Sequence, residues 1–228
     1  MYYYFDPTYI LVIIGALISL IASAGVNAAF KKYSKRMNSR GLTARNVAEM
    51  ILNQAGIYDV RIERVGGSLS DHYSPKEKVL RLSDSVFDSS SVAAIGVAAH
   101  ECGHAIQHQE KYAPLVLRSA SVPMAKIGSY VSIPIIILGL ILDMTGLANL
   151  GIILFSFIVL FQLITLPVEF NASRRALSIL KSSNILVGDE LSGARKVLTA
   201  AAMTYVAAVF SSILQLLRLV LIVGGRKD

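Results

Sequence analysis

Long uncharged stretches alternate with polar segments along this 228-residue chain. The first stretch, residues 9–30, reads YILVIIGALISLIASAGVNAAF, and its 22 residues carry no charge. At about 1.5 Å per helical residue, it is long enough to cross a hydrocarbon core of about 30 Å, which predicts a transmembrane helix. Because no Lys or Arg precedes it, we expect a retained anchor with an aromatic belt of Tyr2, Tyr3, Tyr4 and Phe5.

A second apolar block runs from Ile127 to Val168, and Asp143 is its only charged residue. This pattern predicts a helical hairpin with its turn over residues 143–151. A third block, residues 197–217, is also uncharged, but Arg218 and a short RKD tail follow it. The third block is therefore predicted either to span the membrane or to lie along its surface as an interfacial helix.

The polar residues between the first span and the hairpin have periodic patterns of their own. Thr43 begins a segment typical of a capped amphipathic helix that ends at Gly56. Two short alternating stretches, VRIERV at 60–65 and KVLRLS at 78–83, predict strands whose exposed edges would pair with an extended substrate. The segment DSSSVAAIGVAAHECGHAI predicts one continuous helix, capped by Asp88 or a nearby serine.

Composition and charge place the chain in a membrane. Hydrophobic residues make up 54% of it and charged residues 16%, which is unusual for a soluble domain. The net charge of +7 does not indicate nucleic-acid binding, because the basic residues adjoin the apolar stretches. Six basic residues and no acid follow the first span, namely Lys31, Lys32, Lys35, Arg36, Arg40 and Arg45. The positive-inside rule then predicts a multi-pass protein of the cell membrane, with its N-terminus outside and residue 31 onward in the cytoplasm.

The candidate chemistry lies in the segment AAHECGHAIQH, residues 98–108. Positions i and i+4 share a helix face, so His100 and His104 can direct their imidazoles at one metal ion while Glu101 reaches a metal-bound water. The chain has a single cysteine, so any metal must be held by His and carboxylate. The competing interpretation is a helix with incidental histidines. Uncharged flanks and Gly103, which leaves room for a neighbouring helix, favour the zinc site.

A catalytic zinc ion commonly has three protein ligands, so a third must be sought. His108 lies too far along the helix from His100 and is expected to be solvated. His72 lies in a turn and is free to approach. Glu169 is the better candidate, because it is predicted to end the second helix of the hairpin on the same side of the membrane as His100. Its alternative role is that of an interfacial carboxylate.

The HECGH motif, followed after two predicted membrane helices by EFNASRRAL, resembles the gluzincin membrane proteases of the HtpX and CAAX-prenyl-protease kind. The chain resembles more closely the YugP-like neutral zinc metallopeptidases, in its length, its N-terminal anchor and its DHYSPKEKVLRLS segment. This resemblance implies that His100, His104 and Glu169 bind one catalytic zinc ion and that Glu101 is the base. HtpX-type sequences carry Asp four residues after the ligand Glu, whereas this chain has Ser173. The acid that would orient a ligand histidine is therefore missing or comes from elsewhere.

The predicted fold class is mainly α, a polytopic helical membrane protein with a gluzincin-like zinc peptidase domain that contains a small β-hairpin or sheet. Its predicted divisions are an anchor at 1–30, a cytoplasmic region with the HExxH helix at 31–126, a transmembrane hairpin at 127–168, a cytoplasmic helix with the third ligand at 169–196, and a C-terminal apolar helix at 197–228.

The predicted function is a zinc metalloendopeptidase that hydrolyses peptides or membrane proteins at the cytoplasmic face of the bilayer. His72, Tyr73, Arg174 and Arg175 are the candidates for oxyanion or substrate contacts. The alternative is a non-catalytic membrane scaffold with a structural zinc site, although such a site does not need Glu101. An intramembrane protease is disfavoured, because charged residues bracket the motif too closely for a membrane span. These are Asp84, Asp88, Glu110 and Lys111.

Overall fold

A computed structural model describes residues 6–225. The described residues form six helices and a three-stranded sheet, which confirms the predicted mainly α class with a small sheet. The helices are α1 (Tyr9–Tyr33), α2 (Ala44–Gln54), α3 (Val92–Gln109), α4 (Ala113–Ile141), α5 (Thr145–Ser182) and α6 (Gly188–Gly224), and the strands are β1 (Arg61–Val65), β2 (His72–Ser74) and β3 (Val79–Ser83). The predicted aromatic belt at residues 2–5 and the RKD tail lie outside the described residues.

Four helices, α1, α4, α5 and α6, are long and apolar enough to cross a membrane. The block at 197–217 belongs to α6, so its length and composition fit a span. Two compact units divide the chain. The first consists of the described residues up to Ser23, Leu117–Leu166 and those from Met203 onward. Many of its apolar side chains are exposed, including Leu20, Ile21 and Ile141, as expected of surfaces that contact lipid.

Two predicted boundaries in the apolar blocks are wrong. The hairpin turn occupies only residues 142–144, because α4 ends at Ile141 and α5 begins at Thr145. The second helix of the hairpin also does not end near Val168. α5 continues to Ser182, because the residues after Val168 keep burying one face of a helix, with Ala172, Ala176 and Leu180 fully buried. Glu169 therefore lies within a long helix rather than at its end.

The second unit, Ala24–Val116 with Pro167–Ala202, has a core of its own. Thr43 caps α2 as predicted, since its hydroxyl accepts a hydrogen bond from the Asn46 N–H. Ser91, a serine near Asp88, caps α3 by accepting from the Ala94 N–H. Cys102 is buried, and its thiol donates to the carbonyl oxygen of Ala48 on α2. Burial raises the pKa of this thiol, which suits a core residue rather than a reactive one.

The sheet has the order β1-β3-β2, with β1 parallel and β2 antiparallel to β3. The KVLRLS strand, β3, is thus central and has no open edge, so the expectation that it pairs with substrate is wrong. Its residues Val79, Leu80 and Leu82 are fully buried, which explains why an apolar strand takes the middle position. The edges of the sheet belong to β1 and β2, and β2 lies against α3.

Candidate metal centre

The centre is built where α3 crosses α5 at very short distance. A Cβ atom placed on Gly103 would lie 2.7 Å from the carbonyl oxygen of Ala172 and 3.1 Å from its Cα. A larger residue at position 103 would push the helices apart, so the glycine permits the close approach that the sequence predicted. The crossing brings the helix turns that carry His100 and His104 next to the turn that carries Glu169.

The three side chains converge on one point. The Nε2 atom of His100 lies 3.3 Å from Oε2 of Glu169, and the Nε2 atom of His104 lies 3.5 Å from the same oxygen. One ligand atom from each of the three residues lies within 4.8 Å of the other two. The centroids of the two rings are 4.7 Å apart and the ring planes are nearly perpendicular, and both rings present Nε2 to the same carboxylate oxygen.

This donor set fits a zinc ion. Two ligands of a tetrahedral zinc ion lie about 3.3 Å apart, as follows from bond lengths of about 2.0 to 2.1 Å, and both His–Glu distances are close to that spacing. Glu169 is only 2% exposed and Glu101, the neighbour of His100, is 8% exposed. Two buried carboxylates place negative charge beside the two histidine rings, and a divalent cation would neutralise it.

The ring of His104 is oriented by Gln107, one turn further along α3. Nδ1 of His104 donates to Oε1 of Gln107 at 3.0 Å, so in the neutral ring Nε2 is the nitrogen that would bind a metal. Gln107 is fully buried, and its amide nitrogen donates to the Val168 carbonyl and to Oδ1 of Asn171. Burial opposes the charged form of His104, but the hydrogen bond and charge of Glu169, with the charge of Glu101, raise its pKa.

The ring of His100 is oriented by Ser173, which stands where HtpX-type sequences have Asp. The hydroxyl oxygen of Ser173 lies 3.1 Å from Nδ1 of His100, one helical turn beyond Glu169 on α5. A serine hydroxyl accepts a hydrogen bond as the carboxylate would, without adding a negative charge. The residue that replaces the missing acid is therefore Ser173 itself.

Glu101 lies beside the three convergent residues and contacts the sheet. Its Oε2 atom accepts a hydrogen bond of 3.0 Å from the backbone N–H of Tyr73 on β2. The strand is held in turn by Asp71, whose carboxylate accepts from the N–H and the hydroxyl of Ser83. Burial raises the pKa of Asp71 despite these bonds. The edge strand thus fixes the carboxylate next to the centre.

The other predicted residues lie outside the metal cluster. His72 is exposed and its Nδ1 contacts the Ser70 carbonyl oxygen at 2.9 Å. His108 is not fully solvated as expected, because its Nδ1 lies 2.9 Å from the Tyr73 hydroxyl, and the two rings are in contact. This packing half-buries Tyr73, and burial raises the pKa of its hydroxyl.

The two arginines after Glu169 have different surroundings. Arg174 is exposed and lines a separate cavity between α5 and α6. Arg175 is half-buried, since it contacts the Glu110 carboxylate at 2.7 Å and donates to Oδ1 of Asn171. Through Asn171 and Gln107, Arg175 belongs to the hydrogen-bonded group that ends at His104.

Sequence reasoning missed Gln107 and Asn171. Gln107 lies one turn after His104 on the same helix, so its position was a usable signal. The contribution of Asn171 depends on the register between two helices that are distant in sequence.

Comparison with known proteins indicates the family of the chain. Residues 8–224 match a protein family described as putative neutral zinc metallopeptidase. The chain is also 48% identical, over 221 residues, to a protein of Bacillus subtilis (strain 168) named putative membrane protease YugP. The alignment covers 96% of this chain and 98% of the relative. No solved structure matches the chain.

Proposed function

Because the chain belongs to the family of putative neutral zinc metallopeptidases, we propose that it is a membrane-anchored zinc metalloendopeptidase of the HExxH gluzincin type. The observation that carries this proposal is the convergence of His100, His104 and Glu169 on one point. Glu101 follows His100 in the sequence, and its charge acts on His104. The three convergent residues are the zinc ligands, and Glu101 is the catalytic base. The substrate is a peptide or a membrane protein.

In the proposed hydrolysis, the three ligands hold the zinc ion and Glu101 transfers the proton. When bound, zinc polarises the scissile carbonyl and makes the attacking water more acidic. Glu101 takes a proton from that water as its oxygen adds to the carbonyl carbon. The same carboxyl then gives the proton to the amine nitrogen as the C–N bond breaks. The hydrogen bond from the Tyr73 N–H holds Glu101 in position for both transfers.

Strand β2 is the proposed substrate edge. The Tyr73 N–H points to Glu101, so the side of β2 that does not pair with β3 faces the base. Because the Tyr73 N–H is bonded to Glu101, an extended peptide would pair with this edge through the Tyr73 carbonyl oxygen and would lie along the candidate centre. Main-chain contacts of this kind give a broad sequence preference. Among the four residues considered for oxyanion or substrate contacts, His72 and Tyr73 lie on this edge, whereas Arg175 contacts Glu110.

We further propose that the centre faces the cytoplasm. The second compact unit, Ala24–Val116 with Pro167–Ala202, supports the predicted cytoplasmic division at residues 31–126 and 169–196. Its first segment contains the six basic residues that follow the first span, which is the signature of a cytoplasmic loop.

Cysteine labelling in intact cells checks this orientation. Cysteines introduced in a Cys102→Ala background at Asp6 and Asp143 are expected to react with a membrane-impermeant maleimide. Those at Arg45, His108 and Arg175 are expected to react only after the membrane is opened. Arg45 is the best internal position, because it is exposed and distant in sequence from the centre. External labelling at residues 45 and 108 would reverse the orientation.

The alternative function is a scaffold with a structural zinc site. Two measurements on one preparation distinguish it from a peptidase. A peptidase is expected to contain about one zinc ion per chain and to degrade casein, and a chelator should abolish degradation until zinc is restored. A scaffold would contain the zinc and leave casein intact. Zinc content is measured by elemental mass spectrometry and degradation by release of labelled peptides.

Ser173 provides a test of the ligand assignment that does not depend on turnover. Ser173→Ala removes the hydroxyl that orients His100, and we expect zinc affinity to fall roughly 10-fold, the lower end of the range for such supporting residues. Competition with a chromophoric chelator measures this affinity. Ser178→Ala is the matched control, since Ser178 is an exposed serine on the same helix. Equal zinc affinity in the two variants would show that Ser173 does not support the metal ligands.

A further inference from the structure

A second cavity in the same unit has a charge pattern that the proposed peptidase chemistry does not use. It has a volume of about 450 Å³ and is lined by residues of α5 and α6. Three cationic side chains line it, those of Arg174, Lys181 and Arg195, and no Asp or Glu does. The cavity reaches Ser173, whose hydroxyl contacts His100, so an occupant would lie next to the candidate centre.

No carboxylate of the described residues neutralises the three cationic groups. Within residues 6–225, no carboxylate forms an ion pair with Arg174, Lys181 or Arg195. Other arginines of the same unit do have such pairs. Arg175 contacts Glu110, and Arg36 contacts Asp189. All three residues are exposed, and three cations that line one cavity produce a positive potential that attracts an anion.

The lining also changes from cationic to apolar along both helices. The cavity lining ends in an apolar residue on each helix, Phe170 on α5 and Ala202 on α6. Each of these residues lies next to the apolar stretch of its helix in the sequence. Lys181 and Arg195 lie at the opposite ends of the two lining segments. A ligand that matches this arrangement has an anionic group and a hydrocarbon part, which is the chemistry of an anionic phospholipid.

We propose that this cavity binds the phosphate headgroup of an anionic membrane lipid, with Arg174, Lys181 and Arg195 as its ligands. The apolar end of the cavity accommodates the start of the acyl chains. Zwitterionic lipids carry a headgroup cation that the three basic side chains repel, so the site distinguishes lipids by net charge. This site does not depend on the presence of zinc or on peptidase activity.

Native mass spectrometry of the full chain in a neutral detergent tests the proposal. The probes are phosphatidylglycerol, phosphatidylcholine and inorganic phosphate, each added alone. Wild type is expected to retain phosphatidylglycerol in preference to phosphatidylcholine. The double variant Arg174→Gln/Arg195→Gln is expected to bind phosphatidylglycerol at least about tenfold more weakly, because two basic contacts are lost.

The control is Lys35→Gln/Lys196→Gln, which removes the same net charge from exposed positions outside the cavity. It should bind phosphatidylglycerol like wild type, and thermal unfolding establishes that both double variants are folded. If a double variant does not fold, the single variants Arg174→Gln and Arg195→Gln replace it, each with a smaller expected loss of several-fold.

Three results would overturn the proposal. The first is equal retention of phosphatidylglycerol by the two double variants. The second is displacement of the lipid by inorganic phosphate at equal concentration, which would assign the cavity to a free anion. The third is displacement of the lipid by casein-derived peptides, which would make the cavity part of the substrate cleft.

Discussion

Replacing Glu101 with Gln is expected to leave about one zinc ion per chain and to lower casein hydrolysis at least about 100-fold, the usual scale for a positioned proton transfer. Glutamine has the shape of glutamate, and its side-chain oxygen can still accept the hydrogen bond from the Tyr73 N–H. The ligands His100, His104 and Glu169 are untouched, so metal binding should persist. The variant therefore loses only the group that accepts a proton.

Zinc content and turnover must be measured on the same preparation, because a variant that loses zinc loses activity for another reason. Glu49→Gln is the control, since Glu49 is a partly exposed carboxylate on α2 that pairs with Arg45. It should match wild type in both measurements. Near-wild-type hydrolysis by Glu101→Gln would show that Glu101 is not the base. Loss of zinc from that variant would show that Glu101 supports the ligands rather than the proton transfer.

The parts of this protein that could be predicted from sequence are those set by local periodicity. An uncharged stretch of helical length predicts a span without knowledge of its neighbours. Likewise, the spacing of His100 and His104 places both on one face of α3 because a helix repeats every 3.6 residues. The caps Thr43 and Ser91 follow from side chains that satisfy the first backbone N–H groups of the helix beside them.

The parts that could not be predicted depend on register between distant segments. Glu169 was expected to end a helix, because the apolar stretch ends there. Instead α5 continues to Ser182, because the residues after Glu169 bury one face of the helix against the protein. The role of Ser173 depends on its position opposite His100. That position follows from the close crossing of α3 and α5, where Gly103 lies against Ala172. The strand order also lacks a local signal, since β1 and β3 pair across a connection that contains β2.

Replacing Glu169 with Ala is expected to remove zinc and activity together, whereas Glu169→Gln should weaken both. A catalytic zinc site with two remaining protein ligands binds its metal far more weakly, and alanine offers no ligand atom. Glu169 is 2% exposed, and its Oε2 atom lies within 3.5 Å of both histidine Nε2 atoms. Among the described residues, it is the carboxylate that forms a three-residue cluster with the two histidines. Arg175, one of the two arginines considered as alternative partners of Glu169, contacts Glu110.

Zinc per chain after gel filtration is the primary measurement, and the rise in unfolding temperature on adding zinc is the second. Wild type should show both, and Glu169→Ala should show neither. Glu190→Ala is the matched control, because Glu190 is another buried carboxylate of the same unit, where it accepts a hydrogen bond from the Ser39 N–H. That variant is expected to lose some stability and keep its zinc, since its carboxylate is not part of the cluster. Full zinc occupancy and turnover in Glu169→Ala would exclude Glu169 as the third ligand, and His72 would then be the first residue to test.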